Sequence, residues 1–371
     1  MNANIGQNAR MRVLTVNAGS SSLKWSLIET PSLKLLASGN EQLPPKQEPN
    51  LGPILARAGK VDAVAHRVVH GGSAFRETVK IDSKVRSALD ALRAIDPLHA
   101  PRALQGIDAA MRALPGVPEL ACFDTAFHAT LSEAVSTYAI PHVWSEKWGL
   151  RRFGFHGLSV AHAVRRAPEL VGKSLERMVV LHLGSGCSLT AVQGGKSVDT
   201  TMGYTPLEGL VMATRSGTID PGLMLHLLRE RGLTVDALDR GLEHESGLLG
   251  VSGVSADLRE VLAAADSGNA RGRLAYDVFI VSLRRCLGQM LASLDGLDAL
   301  VFTGGIGEHS ARVRRDAVAK LGWIGVRLDD ARNEAAKPDV DVSLNASGPR
   351  VLVIEAREDL TMARDVVAVL G

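Results

Sequence analysis

Cysteine, aromatic side chains and net charge are all scarce in this sequence, and each scarcity excludes something. Only three cysteines occur, Cys122, Cys187 and Cys286, an odd number without metal-ligand spacing. They argue against a disulfide scaffold and for buried thiols in a reducing cytoplasm. Phe, Trp and Tyr together make up 4% of the chain, too few for a base-stacking surface. A formal charge of +2 steers the chain toward neither nucleic acid nor a membrane surface. No uninterrupted apolar run reaches the ~18 residues of a membrane span, and Met1 to Arg10 hold no apolar h-region. The expectation is a cytoplasmic protein with a loose tail over 1–10, no signal peptide, and neither a nucleic-acid nor a membrane partner.

What is present is an ordinary globular composition, 46% apolar and 22% charged over 371 residues, long enough for two full cores. The stretch His182-Leu183-Gly184-Ser185-Gly186-Cys187-Ser188-Leu189 joins two apolar β-prone runs through small residues. That pattern predicts a strand–turn–strand hairpin whose bare backbone can approach a phosphate. The same shape stands near the N-terminus, Val13 to Ile28, around Asn17-Ala18-Gly19-Ser20-Ser21-Ser22-Leu23-Lys24. The recurrence suggests two related halves facing one ligand.

Between and after these hairpins strands alternate with helical patterns, which predicts an α/β protein. Residues 39–60 read as an exposed connection with a short helix. The spacing predicts helices over Ser83–Ile95 and Pro101–Leu114, and a strand over Glu119–Phe123 that carries Asp124 at its C-terminal end, where α/β sheets place ligand groups. Residues 194–222 have no clear period. Helices are expected at about Val235–Gly241 and Ala256–Ala265, and a heavily apolar one, Ala270–Leu294, is expected to be buried. Asp298–Phe302 reads as a strand leading through Thr303-Gly304-Gly305-Ile306-Gly307-Glu308-His309-Ser310 into another helix. That glycine loop fits neither a P-loop nor a dinucleotide fingerprint, so neither enzyme class is supported.

Two arginines stand among glycines and polar turns, Arg67 in His66–Gly72 and Arg215 in Ala213–Gly222. Guanidinium groups take carboxylate or phosphate oxygens two at a time. Taken singly, the blander reading of each is a structural ion pair, for Arg215 with Asp220. His66, His99 and His182 adjoin apolar stretches and read as satisfied core histidines, whereas His156 is better placed to donate into a cleft. No histidine pair has zinc spacing. For magnesium the carboxylates at element ends are Asp124, Asp199, Asp220, Glu308 and Glu358, and Asp124 and Glu358 are preferred because they follow strands. A helix N-terminal role explains Glu358 equally well.

Taken together, five blocks resemble the acetate kinase family from about Arg12 to Val366: Asn17–Lys24, His66–Gly72, Phe123–His128, Phe153–Gly157, and Val198–Leu210 running on to Thr214–Gly217. The resemblance implies two ribonuclease-H-like halves of the actin, sugar-kinase and Hsp70 kind, with the active site in the cleft between them. The expected halves are 11–126 plus 360–371, and 127–359, the second carrying the nucleotide site and dimer interface. It implies ATP/ADP, Mg²⁺ or Mn²⁺, a homodimer, and reversible phosphoryl transfer to acetate. By position in the family's motifs, Asn17 and Glu358 hold the metal and Lys24 faces nucleotide phosphate. Arg67 binds the carboxylate, with Val69, Leu98, Phe155 and Pro206 around the acyl methyl. Asp124, His156 and Arg215 are catalytic. His182, Leu183, Gly184, Ser185 and Gly186, then Asp257, Leu258 and Arg259, then Gly305, Ile306, Gly307, Glu308 and His309, line the nucleotide. Ser185 stands where the family has Asn, His309 where it has Asn, Ala100 where it has Asn, and Glu355-Ala356-Arg357 replaces Pro-Thr-Asn or similar.

Two other readings remain open on the sequence. One is a propionate kinase of the same family, against which Val69 leaves less room than Ala. The other, of a different class, is a non-catalytic actin-like or Hsp70-like nucleotide-binding protein, which Ser185 alone supports.

Overall fold

The computed structural model describes residues 10–19, 22–44, 47–97, 99–345 and 347–371. Leu98, Ser20 and Ser21, all named above, lie outside the described residues. The chain divides into two compact units: residues 1–129, 155–162 and 357–371 form the first, and 130–154 and 163–356 the second. Residues 127–129, 155–162 and 357–359 thus fall in the first unit, although the sequence reading places them in the second half.

In the first unit a six-stranded sheet runs in the order β3-β2-β1-β4-β6-β5. Its strands are β1 (Arg12–Ala18), β2 (Ser22–Glu29), β3 (Lys34–Gln42), β4 (Ala63–Val68), β5 (Val79–Lys80) and β6 (Glu119–Phe123). β1 to β3 form an antiparallel meander, β4 and β6 follow parallel to β1, and short β5 closes the edge antiparallel. Alternation along β1 decides which side chain meets which layer. Val13, with Ala63, Ala65, Leu120 and Cys122, packs against Leu158 and against Met362, Ala363 and Val366 of the helix Glu358–Leu370. Leu14 and Val16, with Val64, turn to the other face and meet Ile54, Ala109 and Ala110. β6, fifth in that order, is buried along its whole length, as an interior strand covered on both faces must be.

The second unit repeats that plan. Its strands are β7 (Arg177–Leu183), β8 (Cys187–Gln193), β9 (Lys196–Thr200), β10 (Ala299–Thr303), β11 (Val340–Asp341) and β12 (Arg350–Val353). Read from β9, the order is β9-β8-β7-β10-β12-β11, with the same alternation of antiparallel and parallel pairs. Two sheets of one topology account for the recurring hairpin, β1–β2 in the first unit and β7–β8, across 184–186, in the second.

Several boundaries differ from the sequence reading for local reasons. The helix from Ser83 is capped by Asp82, which accepts from the Val85 N–H at 2.8 Å, and stops at Ala91 in a 3₁₀ turn. The connection 39–60 holds the expected short helix, Gly52–Ala58, but begins with the end of β3, and the aperiodic 194–222 contains β9. The long helix Ala270–Ala292 is only half-buried. Phe279, Leu283, Leu287 and Met290 face the core, while Leu274 and Val281 stay exposed. The glycines after β10 do not form a loop; Gly304–His309 is itself a short helix. All three thiols are free, and burial pushes Cys187 up to about 12 and Cys286 up to about 11. Among the described residues no helix is long and apolar enough to cross a membrane.

Candidate active site

In the first unit, polar side chains gather where β1, β4 and β6 end. Arg67, on β4, gives Nε to Asp124 Oδ1 at 3.0 Å and Nη2 to Oδ2 at 2.5 Å. Its Nη1 reaches Asn17 Oδ1 on β1 at 3.3 Å, and its Nε lies 3.5 Å from Glu358 Oε2. Arg67, Asp124, Asn17 and Glu358, four of the sequence-predicted residues, are therefore one cluster. Burial alone would lower the Arg67 pKa, but Asp124 and Glu358 hold it above its ordinary value. Asp124 is 1% exposed; burial raises its pKa, against the pull of Arg67.

The backbone of Asp124 is pinned as firmly as its side chain. Its N–H donates to Val68 O at 3.1 Å, and its carbonyl accepts from the Gly157 N–H at 2.8 Å. A Cβ at Gly157 would stand 2.2 Å from that carbonyl, so only glycine permits the approach. His156, immediately before, is half-buried with φ of +58°, a conformation a non-glycine residue holds only when its surroundings fix it. Phe155 is buried, its ring edge-on to His70 at 5.3 Å and its carbonyl 2.9 Å from His128 Nε2. Val69 is half-buried just after β4, and Lys24 is exposed on β2 opposite Asn17.

Two of the three histidines expected to be core groups, His66 and His99, have found acids. His66 Nε2 lies 2.6 Å from Glu119 Oε2, both fully enclosed. His99 Nδ1 lies 2.8 Å from Asp96 Oδ1. Asp96 and Glu119 were not singled out in the sequence, and their only signal there is a charge placed within or beside an apolar run.

In the second unit three segments meet. The turn after β7 is tied to the Met212–Arg215 segment, because Ser185 O accepts from the Ala213 N–H at 3.2 Å. It also abuts the start of the 304–309 helix: Gly304, with φ of +76°, would place a Cβ 2.8 Å from Leu183 O. His182, Leu183, Gly184, Ser185 and Gly186, Arg215, and Gly305 to His309 thus belong to one neighbourhood. Ser185, Gly305 and His309 are exposed there, while Leu183 and Gly307 are buried. Arg215 Nε donates to Glu243 Oε2 at 2.8 Å, which makes Glu243 and not Asp220 its partner. Glu243 is the one buried residue of the helix Val235–His244, and nothing in the sequence marks it out.

Three candidate metal carboxylates are engaged in holding structure. Asp199 accepts from Ser293 Oγ at 2.7 Å, Asp220 caps the helix Pro221–Glu230, and Glu308 Oε1 accepts the N–H groups of Gly304 and Ala356, each at 2.9 Å. Asp257 caps the helix Leu258–Asp266 and pairs with Arg259, which holds its carboxyl below the usual range. Leu258 is buried, and Pro206 is half-buried.

Comparison with known proteins gives the class first: this is a kinase. The sequence pattern of the acetokinase family matches residues 52–364, and the chain belongs to that family. The acetate kinase of Synechococcus sp. is 45% identical over 395 aligned residues, covering 95% of this chain and 98% of that protein. That of Gloeobacter violaceus is 49% identical over 84% of this chain and 78% of its own length. Among solved structures, acetate kinase from Porphyromonas gingivalis has a TM-score of 0.89 at 33% identity, covering 97% of this chain and 100% of its own. A propionate kinase from Francisella tularensis has a TM-score of 0.88 at 33% identity, covering 96% and 98%. The two-unit α/β fold is accordingly that of the acetate kinases.

Proposed function

We propose that this protein is an acetate kinase, transferring the terminal phosphoryl group of ATP to acetate in line and reversibly, giving acetyl phosphate and ADP. The observation that carries this reading is Arg67, a guanidinium fixed by Asp124 at the end of β4 and so preorganised for a carboxylate. Asp124 occupies one edge of the guanidinium fork, and Nη1 is left with a long bond to Asn17 that an incoming acetate can replace. Acetate is already deprotonated at neutral pH, so the nucleophile needs no general base. The barrier lies in bringing one anion against another and in the charge on the equatorial oxygens.

In this reading Arg215 and His156 stabilise that charge. Ser185 and its neighbours, with Gly305 to His309 and Asp257 to Arg259, hold the nucleotide, and Lys24 faces its phosphates. Val69, Phe155 and Pro206 are assigned to contacts with the acyl group. Asn17 and Glu358 are the oxygen donors for Mg²⁺ or Mn²⁺. Asn17 Oδ1 and Glu358 Oε2 both lie beside Arg67 and are the hard oxygen donors such an ion takes, and among the described residues no three-ligand His, Cys, Asp or Glu cluster competes. Magnesium commonly takes one or two protein oxygens and completes its shell with water and phosphate. When bound it would neutralise phosphate charge. A homodimer and a cytoplasmic location follow the family and the reducing composition.

The test is direct: purified protein with ATP, Mg²⁺ and acetate, propionate or butyrate, trapping acyl phosphate with hydroxylamine. Acyl hydroxamate from acetate is expected, and none from any acid would overturn the reading. Propionate kinase is the second reading, because a propionate kinase stands as near in structure as an acetate kinase. One methylene is worth only about 1–3 kcal/mol, so propionate is expected to react at lower kcat/KM. The reverse order would favour the second reading.

A further inference from the structure

Arg314 is 1% exposed, among the largest enclosed side chains of the chain, and its hydrogen bonds go to carbonyl oxygens instead of a carboxylate. Nη1 donates to Gly307 O at 2.8 Å and Glu308 O at 2.9 Å. Nε donates to Asn333 Oδ1 at 2.7 Å, and Nη2 to Asn333 O at 2.8 Å. Asn333 is fully enclosed and donates Nδ2 to Ala311 O at 2.9 Å. A buried cation is costly unless it is hydrogen-bonded, so this arrangement needs a reason.

The reason lies in what the guanidinium holds. Gly307 and Glu308 belong to the last turn of the short helix Gly304–His309, where carbonyls lack partners within the helix. A cation there answers both the unpaired carbonyls and the helix dipole. The other end of the segment is held by Glu308, whose Oε1 accepts the Gly304 and Ala356 N–H groups. Between those ties Gly305 is exposed, and a Cβ built on it meets nothing within 4 Å. The segment is thus gripped from inside and bare outside.

We propose that Arg314, anchored by Asn333, is the positioning residue of the nucleotide segment, fixing the backbone of Gly305 to His309 in the register that ATP requires. It acts through the carbonyls of Gly307 and Glu308 and touches no substrate. This rests on the reading that the segment lines the nucleotide site, which the test separates. In Arg314→Lys the charge remains but the planar fork that reaches two carbonyls and Asn333 together is lost.

Steady-state kinetics, calorimetric ADP binding and thermal melting are measured on Arg314→Lys, Asn333→Ala and Gly305→Ala. Arg314→Lys is expected to raise the ATP KM and the ADP Kd about 10-fold with acetate KM unchanged. Asn333→Ala, which leaves the arginine with one anchor fewer, is expected to give a smaller rise of the same kind. Gly305→Ala adds a methyl group to the bare face, and its rise in ATP KM tests the nucleotide reading alone. If Gly305→Ala leaves ATP KM unchanged, that reading falls and takes the proposal with it. If Gly305→Ala raises it and folded Arg314→Lys does not, the positioning role alone is overturned. Lower melting temperature with both KM values intact also overturns it. Should Arg314→Lys not fold, an unchanged ATP KM in Asn333→Ala decides against it.

Discussion

Arg67 and Asp124 are joined by two parallel hydrogen bonds, at 3.0 and 2.5 Å, with the carboxylate fully enclosed and the guanidinium partly open. The acid therefore orients the base toward the side from which a ligand can come. Removing one member strands the other in low dielectric, at a cost of about 3–5 kcal/mol. Arg67→Ala is predicted to raise acetate KM about 10-fold or more and to lose stability. Arg67→Ala/Asp124→Ala is predicted to be more stable than Arg67→Ala alone, because no buried charge is left unpaired. Urea unfolding and acetate titrations check both halves, and an unchanged acetate KM would remove Arg67 from the carboxylate site.

Arg215 is predicted to act on the transition state and not on acetate binding. Glu243 takes its Nε, which leaves the Nη groups to meet charge that develops during transfer. Arg215→Ala is expected to lower kcat by about 10²–10³ while acetate KM stays within a few-fold. Glu243→Gln, which keeps an acceptor at the same distance, is expected to lower kcat much less. A near-normal kcat in Arg215→Ala would sink the assignment.

Arg67 and Asp124 were legible as candidates because they stand at strand ends, where chain order and period locate them, whereas Asn17 was singled out only by the resemblance to the family's motif. Three neighbouring strands, β1, β4 and β6, bring the three together. What could not be read was partnership. Glu243 lies far from Arg215 in sequence and reaches it from a helix of which it is the one buried residue, whereas Asp220, five residues away, serves a helix cap. Arg314 was invisible for a related reason, since a charged residue on the helix Ala311–Val318 looks solvated until the neighbouring helix Asp330–Glu334 covers it. The glycine run after β10 was legible as a segment but not as a helix, because three glycines in four residues argue against helix by propensity. There the tertiary ties of Glu308 and Arg314 decide the conformation.

Ser185 is exposed at the tip of the β7–β8 turn, and its carbonyl, not its side chain, anchors Ala213. Exchange of the side chain should therefore leave the turn in place. Ser185→Asn is predicted to lower ATP KM several-fold, since Asn offers a longer amide donor toward phosphate, with melting temperature unchanged. Unaltered ATP KM and kcat would show that the serine is silent.

His128 gives the protein a predictable weakness toward acid. Its ring is buried against the Phe155 carbonyl at 2.9 Å, and burial lowers its pKa to about 4 although that carbonyl favours the charged form. In the unfolded chain a histidine titrates near ~6.5. Between those values the unfolded state binds a proton that the folded state refuses, so stability rises with pH across this window and falls as pH drops. The full span is worth up to about 3 kcal/mol at ~1.4 kcal/mol per unit, complete once pH lies below the folded value. His128→Gln places an amide nitrogen near the Nε2 position and removes the titration. The variant is predicted to lose some stability at pH 7 yet to show a shallower fall between pH 6.5 and 4, read as urea midpoints across a pH series. Asp124, raised by burial, works with the opposite sign, so the comparison must be made as a difference between wild type and variant at each pH. Parallel curves for the two proteins would show that His128 does not carry the acid response.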